Sequence, residues 1–300
     1  MNTPSDSEAS GAGWHGPGAG AKVRRLLPLT VWLCSDTATT TKSNGSGNQD
    51  EKRSCARHRE MVGEQLARHL INACTQDGDL VAEAFTCGEA TLVAAGELGR
   101  RAVACVPHFP LAQHIGVRLR AALPEDRLTG LAMRPCRPDQ MARGFADHLE
   151  KVDLVIAAPP SYEVGGRPEK GVASWDCPAC RADMWMLTEQ QLGAFLAASW
   201  RVLRPGGHLA VITTARHQGG RLVDPAPLII RQARVLGFRY AQHVIALRVP
   251  IDGDELVVQA DPSELGQLRD IRSRALPPTV SVHADVCLFR KAPSGAGGAR

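Results

Sequence analysis

The sequence predicts a doubly wound α/β fold, in which a mostly parallel sheet carries helices on both faces. Short apolar runs that suit buried strands alternate along the chain with stretches whose apolar residues recur at helical spacing. One stretch, 79–106, contains a complete unit of strand, tight turn, helix and strand, which is a crossover between parallel strands. The turn of such a unit lies at the carboxyl edge of the sheet, where ligands bind in this class of fold.

Length, charge and cysteine content limit the classes of protein to which the chain can belong. The 300 residues suffice for one large α/β domain, and no window approaches the roughly 18 apolar residues of a membrane span. A net charge of +4 allows a nucleic-acid partner without requiring one. Nine scattered cysteines suit reduced thiols better than a disulfide framework. Because the N-terminus also lacks a signal-peptide pattern, we expect a cytoplasmic protein with no membrane partner.

We expect the chain to divide into four parts. Residues 1–21 are rich in Ser, Gly, Pro and Ala and should form a disordered tail. Residues 22–58 combine a flexible linker with an apolar segment that is predicted to be an early strand or docking segment anchored by Trp32. Residues 59–290 should form the α/β domain, and 291–300 a short disordered tail.

The elements of the domain follow in chain order. Apolar residues at helical spacing predict the helices, and Gly99 ends the helix of the central crossover. Pro159 must end the strand at 152–158, because proline donates no hydrogen bond. The predicted helices are 63–74, 91–98, 114–123, 141–149, 188–203 and 228–236, and the predicted strands are 79–82, 101–106, 128–133, 152–158, 208–213, 238–247 and 282–289.

Two motifs carry the expected chemistry. The crossover turn at 85–90 reads Phe-Thr-Cys-Gly-Glu-Ala, which contains neither the G-x-G-x-x-G of a dinucleotide site nor a P-loop. The second motif, Ala-Pro-Pro-Ser-Tyr at 158–162, follows a buried strand that reads V-D-L-V-I. Further on, a helix leads into Leu-Arg-Pro-Gly-Gly at 203–207 and then into another strand.

The order and spacing of these motifs resemble S-adenosylmethionine (SAM)-dependent methyltransferases that act on the amino groups of nucleic acids. These are the N4-cytosine and N6-adenine DNA methylases and the related tRNA guanine-N2 methyltransferases. The family's turn reads approximately G-D-x-V-L-D-P-F-x-G-S-G-T-T-L-x-A-A and matches 78–95, and its [D/N/S]-P-P-[Y/F/W] falls on 158–161. The resemblance covers 59–290 and implies a Rossmann-like SAM-methyltransferase fold.

The resemblance also implies SAM as the cofactor and assigns roles to site residues. In the family, glycines let the backbone approach the methionine part of SAM, and an acid after the second strand binds the ribose. The polar residue that opens the P-P motif orients the target amine, and the aromatic residue that ends it stacks on a flipped base. The implied cofactor residues are Glu83, Phe85, Cys87, Gly88, Glu89, Thr91 and Val106, and the implied catalytic residues are Ala158, Pro159, Pro160, Ser161 and Tyr162.

Three functions stay open. The first is methyl transfer from SAM to an exocyclic amine, with DNA or RNA as the partner. The second is a catalytically degenerate protein with a binding or regulatory role. Methyl transfer is the leading hypothesis, and the motive for this rival is that Cys87 and Glu89 replace glycines, Val106 replaces the ribose acid and Ala158 replaces the amine acceptor. The third is a small-molecule methyltransferase, because no separate target-recognition domain is visible.

A C-x-x-C pair in the segment after the P-P motif is the one candidate for a metal site. Cys177 and Cys180 offer two zinc ligands, but a structural zinc site needs four, and the sequence has no second such pair. We therefore expect no metal and a reduced cysteine pair.

Overall fold

A central eight-stranded sheet organises the structure, a computed structural model. The structure describes residues 30–35, 62–159, 189–218, 221–248, 251–252, 255–256 and 282–293. The tail predicted at 1–21, most of 22–58 and the end of the predicted C-terminal tail therefore lie outside the described residues.

The strands and helices alternate through most of the described chain. The strands are β1 (Val31–Leu33), β2 (Leu80–Ala84), β3 (Arg101–Cys105), β4 (Leu131–Arg134), β5 (Val152–Ala157), β6 (Leu203–Thr213), β7 (Arg216–Gln218), β8 (Arg221–Val223), β9 (Arg239–Leu247), β10 (Ile251–Asp252), β11 (Glu255–Leu256) and β12 (His283–Arg290). The helices are α1 (Glu64–Cys74), α2 (Ala90–Glu97), α3 (Phe109–Ala122), α4 (Glu125–Leu128), α5 (Met141–Gly144), α6 (Glu189–Val202) and α7 (Ala226–Val235).

The main sheet has the strand order β1-β9-β12-β6-β5-β2-β3-β4. Strand β12 is antiparallel to both of its neighbours, and every other pair of neighbours is parallel. From β2 the chain moves outward through β3 and β4, and then returns to β5 on the opposite side of β2. The order therefore reverses between β2 and β5. This is the topological switch point, where ligands of doubly wound sheets bind.

Helices cover both faces of this sheet, as the sequence predicted. Helices α1, α2 and α3 pack on one face, where Leu70, Leu92 and Ile115 are fully buried. Helices α6 and α7 pack on the other, where Phe195 and Ile229 are fully buried. The doubly wound, Rossmann-like α/β architecture is therefore confirmed.

Strand β1 extends the sheet beyond β9 and confirms the prediction of an early strand. Trp32 is 3% exposed and its indole stacks on the His69 ring of α1, with 5.7 Å between the ring centroids. Val31 and Leu33, which point the other way, are exposed. A short strand with one buried aromatic anchor is a common way to end a sheet.

Several predicted boundaries are wrong, each for a local reason. Helix α3 begins at Phe109 instead of 114, because Pro110 fits the first turn of a helix. The predicted helix 141–149 is a single turn that ends at Gly144 and is followed by a 3-10 turn. Strand β6 begins at Leu203 instead of 208, since a register shift against β5 takes the Pro-Gly-Gly segment into the strand.

Buried charges close the amino edge of the sheet. The Asp153 carboxylate accepts a 2.9 Å hydrogen bond from the Leu80 amide and forms an ion pair with Arg204. The Lys291 ammonium is 5% exposed and donates to the carbonyls of Trp200 and Leu203 at 2.8 and 2.7 Å. Among the described residues, no helix is both long enough and apolar enough to cross a bilayer.

Candidate functional site

The candidate site is the crevice at the carboxyl ends of β2 and β5. These strands are direct neighbours, and Ala84 at the end of one is in register with Ala157 at the end of the other. The crossover turn continues from Ala84, and Ala158 and Pro159 continue from Ala157. The two motifs that the sequence marked separately therefore leave the sheet side by side.

Phe85 turns the chain sharply after β2. Its φ of 61° lies in the left-handed region, which costs a bulky residue about 1–2 kcal/mol. The ring is 6% exposed and meets Phe195 edge-on, with centroids 5.1 Å apart, so packing holds the strained backbone in place. Non-glycine residues in this conformation cluster at ligand sites, which agrees with the prediction that Phe85 belongs to the turn.

Glu83 and Thr91 join the last part of β2 to the first turn of α2. The Glu83 carboxylate is 6% exposed and accepts a 2.9 Å hydrogen bond from the Thr91 hydroxyl. Both residues were predicted to belong to the cofactor turn, and the structure brings them together. A buried carboxylate needs such donors to remain charged.

Thr86 is a site residue that the sequence reading missed. Its side chain has no exposed surface, and its hydroxyl has no hydrogen-bond partner within the described part of the chain. An unsatisfied buried hydroxyl costs about 1–3 kcal/mol unless a ligand or water completes it. Helix α2 begins four residues later, at Ala90, and its first amides have no partner inside the helix. The turn thus offers polar groups suited to a small charged ligand.

The acidic side chain at the helix start is neutralised from a neighbouring helix. Glu89 precedes the first residue of α2, and its carboxylate forms an ion pair with Arg118 of α3. Its charge is therefore directed toward α3. Cys87, also in the turn, donates its thiol to the Phe85 carbonyl at 3.3 Å. Gly88 lies between these two residues.

The end of β3 is apolar. Val106 is 2% exposed and packs in the hydrophobic core, and its amide donates to the Arg134 carbonyl at 2.9 Å. No carboxylate is contributed at this position, which the resemblance assigned to ribose binding. Just before it, Cys105 places its sulfur 3.7 Å from that of Cys136.

The P-P motif is only partly within the described residues. Ala158 is 8% exposed and Pro159 is buried. Pro160, Ser161, Tyr162, Cys177 and Cys180 lie outside the described residues. In the described ranges, no group of three or more His, Cys, Asp or Glu side chains could hold a metal ion.

Thr213 is a second polar residue that the sequence reading missed. It ends β6, two positions beyond Val211, which is in register with Ala157 of β5. Its side chain is 1% exposed, and its hydroxyl has no hydrogen-bond partner in the regions that the structure covers. Threonine at the end of an apolar strand carries no sequence signal of its own, so only the strand register could reveal its position.

Comparisons with known proteins give structural matches alone. No family model matches the chain, and no curated protein matches it. Among solved structures, TrmN from Thermus thermophilus matches with 17% identity over 79% of this chain and a TM-score of 0.46. The chain spans 51% of the length of that protein.

Two further structural matches are described as methyltransferases. A SAM-dependent methyltransferase from Methanosarcina mazei has 10% identity over 74% of this chain and 97% of its own, with a TM-score of 0.46. The 1,6-didemethyltoxoflavin-N1-methyltransferase of Burkholderia thailandensis has 15% identity over 78% of this chain and 80% of its own, with a TM-score of 0.42. Its structure contains bound S-adenosylhomocysteine.

Proposed function

We propose that this protein is a SAM-dependent methyltransferase that acts on an exocyclic amine of a nucleic acid. The observation that carries the proposal is the register of Ala84 with Ala157 across β2 and β5. It brings the turn at 85–90 and the P-P segment to one crevice at the switch point of the sheet. Methyl transfer needs the cofactor and the target amine side by side, because it is a direct displacement that depends mainly on positioning.

The residues of the turn fit the amino-acid end of SAM. The first-turn amides of α2 suit a carboxylate, and the buried Thr86 hydroxyl, which has no partner among the described residues, joins them if the turn opens around the ligand. The ion pair between Glu89 and Arg118 reduces the repulsion that Glu89 would exert on such a carboxylate. Glu83, held by Thr91, suits an ammonium or hydroxyl donor. When bound, SAM supplies a methyl group on a positively charged sulfur.

The amine side of the site depends on residues around the end of β5. Ala158 has no polar side chain with which to orient an amine, but Thr213 ends the neighbouring strand β6 with a buried hydroxyl. We assign Thr213 the role of accepting a hydrogen bond from the target amine. Tyr162 is assigned the stacking role on the base.

Calorimetry with S-adenosylhomocysteine tests the cofactor part of the proposal. We expect binding by the full chain, and about tenfold weaker binding after Glu83→Gln, because a charge-assisted hydrogen bond is lost. Glu97→Gln is the matched control, because Glu97 lies at the other end of α2 and pairs with Arg68. No binding at millimolar cofactor would overturn the proposal.

Transfer of a labelled methyl group from SAM tests the substrate class. DNA, tRNA and a pool of small metabolites are compared, and we expect label in nucleic acid, released on digestion as an N-methylated base. Label confined to small molecules would replace the nucleic-acid substrate with a metabolite.

A non-catalytic binding role is the second candidate. The observation in its favour is Val106, which is buried and apolar where the resemblance implies a ribose-binding acid. Binding of S-adenosylhomocysteine without transfer to any of the three substrate pools would favour this role.

A further inference from the structure

Two thiols that methyl transfer does not use lie against each other at the carboxyl edge of the sheet. Cys105 is the last residue of β3, and Cys136 follows β4, the neighbouring strand. Both are free thiols, and their sulfur atoms are 3.7 Å apart. A disulfide brings its two sulfurs to about 2.0 Å, so a small shift closes the gap.

The surroundings make Cys136 the thiol that reacts first. Cys105 has no exposed surface, because its side chain packs in the hydrophobic core on one face of the sheet, whereas Cys136 is 8% exposed. The hydrogen bond with Cys105 lowers the pKa of the Cys136 thiol; burial opposes this shift and the charge of Arg134 adds to it. Burial raises the pKa of Cys105 well above its ordinary value. Cys136 therefore has the greater thiolate character, and the thiolate is the reactive form.

The pair lies at the same edge of the sheet as the crevice, at the ends of the strand next to β2 and of the strand beyond it. Cys105 directly precedes Val106, and the charge of Glu83 acts on its thiol. Cys136 packs closely on Gly144, where an added Cβ would lie 2.6 Å from the Cys136 Cβ. Closing the disulfide moves Cys136 relative to Gly144, the last residue of α5. Because these two residues are in tight contact, we expect the segment that joins β4 to α5 to shift.

We propose that Cys105 and Cys136 form a reversible disulfide in response to a hydroperoxide and thereby make the crevice redox-sensitive. The Cys136 thiolate attacks the peroxide, the O–O bond breaks, and a sulfenic acid forms on Cys136 as the peroxide is reduced. The Cys105 sulfur then attacks that sulfur, the S–O bond breaks, and water leaves. With hydrogen peroxide, two thiols and one peroxide give one disulfide and two waters. A dithiol reverses the change by exchange.

Oxidation is expected to lower the affinity for S-adenosylhomocysteine by about tenfold, because it displaces the segment that joins β4 to α5. This segment begins beside Val106, whose amide donates to the Arg134 carbonyl. This consequence rests on the proposed function, whereas formation of the disulfide does not. The two can therefore fail separately.

Peptide mapping of the full chain tests the disulfide directly. Trypsin does not cut before proline, so Cys105 falls in peptide 102–118 and Cys136 in peptide 128–143, each with no other cysteine. After treatment with hydrogen peroxide and alkylation of the remaining thiols, we expect these two peptides to be linked. Dithiothreitol should separate them. Cys136→Ser should leave Cys105 alkylatable, and Cys74→Ser, on α1, is the matched control that keeps the link.

The outcomes separate the two ideas. A link between 102–118 and 128–143 supports the disulfide even if reduced protein binds no S-adenosylhomocysteine, in which case the proposed function fails. If peroxide oxidises the partly exposed Cys87 while Cys105 and Cys136 both remain alkylatable, the inference is wrong. A link from Cys136 to Cys177 or Cys180 would also overturn it. A link that leaves the affinity of a binding-competent protein unchanged would overturn the effect on the crevice.

Discussion

The two edges of the central sheet differ in whether their buried polar groups have hydrogen-bond partners. At the amino edge, Lys291 and Asp153 are buried and their hydrogen bonds are satisfied by main-chain atoms and by Arg204. At the carboxyl edge, the hydroxyls of Thr86 and Thr213 are buried without a hydrogen-bond partner among the described residues. One edge is completed by the chain itself, and the other has polar capacity left for a ligand.

Each edge also holds a non-glycine residue in the left-handed region, Phe85 at the carboxyl edge with a φ of 61° and Glu150 at the amino edge with a φ of 55°. Phe85 adopts a left-handed conformation in the turn, and close packing against Phe195 maintains it. Strain and unsatisfied polar groups both cost stability, and proteins retain them mainly where a ligand is bound. The two edges therefore differ in the hydrogen bonding of their buried polar groups and not in backbone strain, and among the described residues the buried hydroxyls without a partner are found at the carboxyl edge.

Removing a charge from the amino edge should have the largest effect on stability. Asp153→Ala takes the acceptor from the Leu80 amide and the partner from Arg204, so we expect a loss of about 3 kcal/mol in the free energy of unfolding. Chemical denaturation measures it. The control is Asp77→Ala, whose side chain is 84% exposed and whose ion pair should contribute under about 1 kcal/mol. Equal losses in both variants would show that burial of Asp153 adds nothing to its contribution at the amino edge.

Two threonines, Thr86 of the turn after β2 and Thr91 of α2, should respond with opposite signs. Thr86→Val removes an unsatisfied hydroxyl and should stabilise the ligand-free protein by about 1 kcal/mol. Thr91→Val removes the donor to the buried Glu83 carboxylate and should destabilise it by about 1–2 kcal/mol. Urea denaturation of both variants checks the signs. If Thr86→Val destabilises the protein as much as Thr91→Val does, its hydroxyl is satisfied.

The Cys287 thiol, buried in β12 between the two edges, should make the free energy of unfolding fall as the pH becomes alkaline. Burial raises the pKa of Cys287 to about 12, so the folded protein keeps a proton that the unfolded chain loses. The stabilisation is complete below the ordinary thiol pKa of about 9 and is lost as pH rises toward 12. Cys287→Ser should make the fall in unfolding free energy between pH 8 and 10 shallower by about 1 kcal/mol. Identical pH slopes would contradict this assignment.

The strain at Phe85 should reverse the usual order of alanine and glycine. Both substitutions lose the contact with Phe195, but glycine tolerates a φ of 61° and alanine does not. We therefore expect Phe85→Gly to be at least as stable as Phe85→Ala, although glycine is ordinarily worse by about 0.5–1 kcal/mol. Thermal unfolding of the two variants measures the difference. A glycine variant clearly less stable than the alanine variant would show that the turn is unstrained.

Local patterns predicted the elements well where the chain alone determines them. The strand at 152–158 is found at Val152–Ala157, because a run that is apolar apart from Asp153 and stops at a proline favours a buried strand. The helix at 63–74 is found at Glu64–Cys74 for the same kind of reason. Boundaries failed at Leu203 and Gly144, where a register shift against β5 and the contact with Cys136 decide the conformation.

The candidate site was predicted in part. Glu83, Phe85 and Thr91 were identified from the turn; the structure joins Glu83 to Thr91 by a hydrogen bond and packs Phe85 against Phe195. Thr86 and Thr213 were missed, because a buried threonine and an exposed one have the same sequence signal. Their importance depends on burial and on the absence of a hydrogen-bond partner among the described residues, which are tertiary properties.

The sequence by itself determined the alternation of strands and helices, and with it the doubly wound class, because hydrophobic periodicity is a local property of the chain. Only the tertiary structure decided which strand ends meet and which polar groups lie unsatisfied between them. It set Ala84 beside Ala157 and the Cys105 sulfur beside that of Cys136. Such contacts join residues that are distant in sequence, so strand order and register create them.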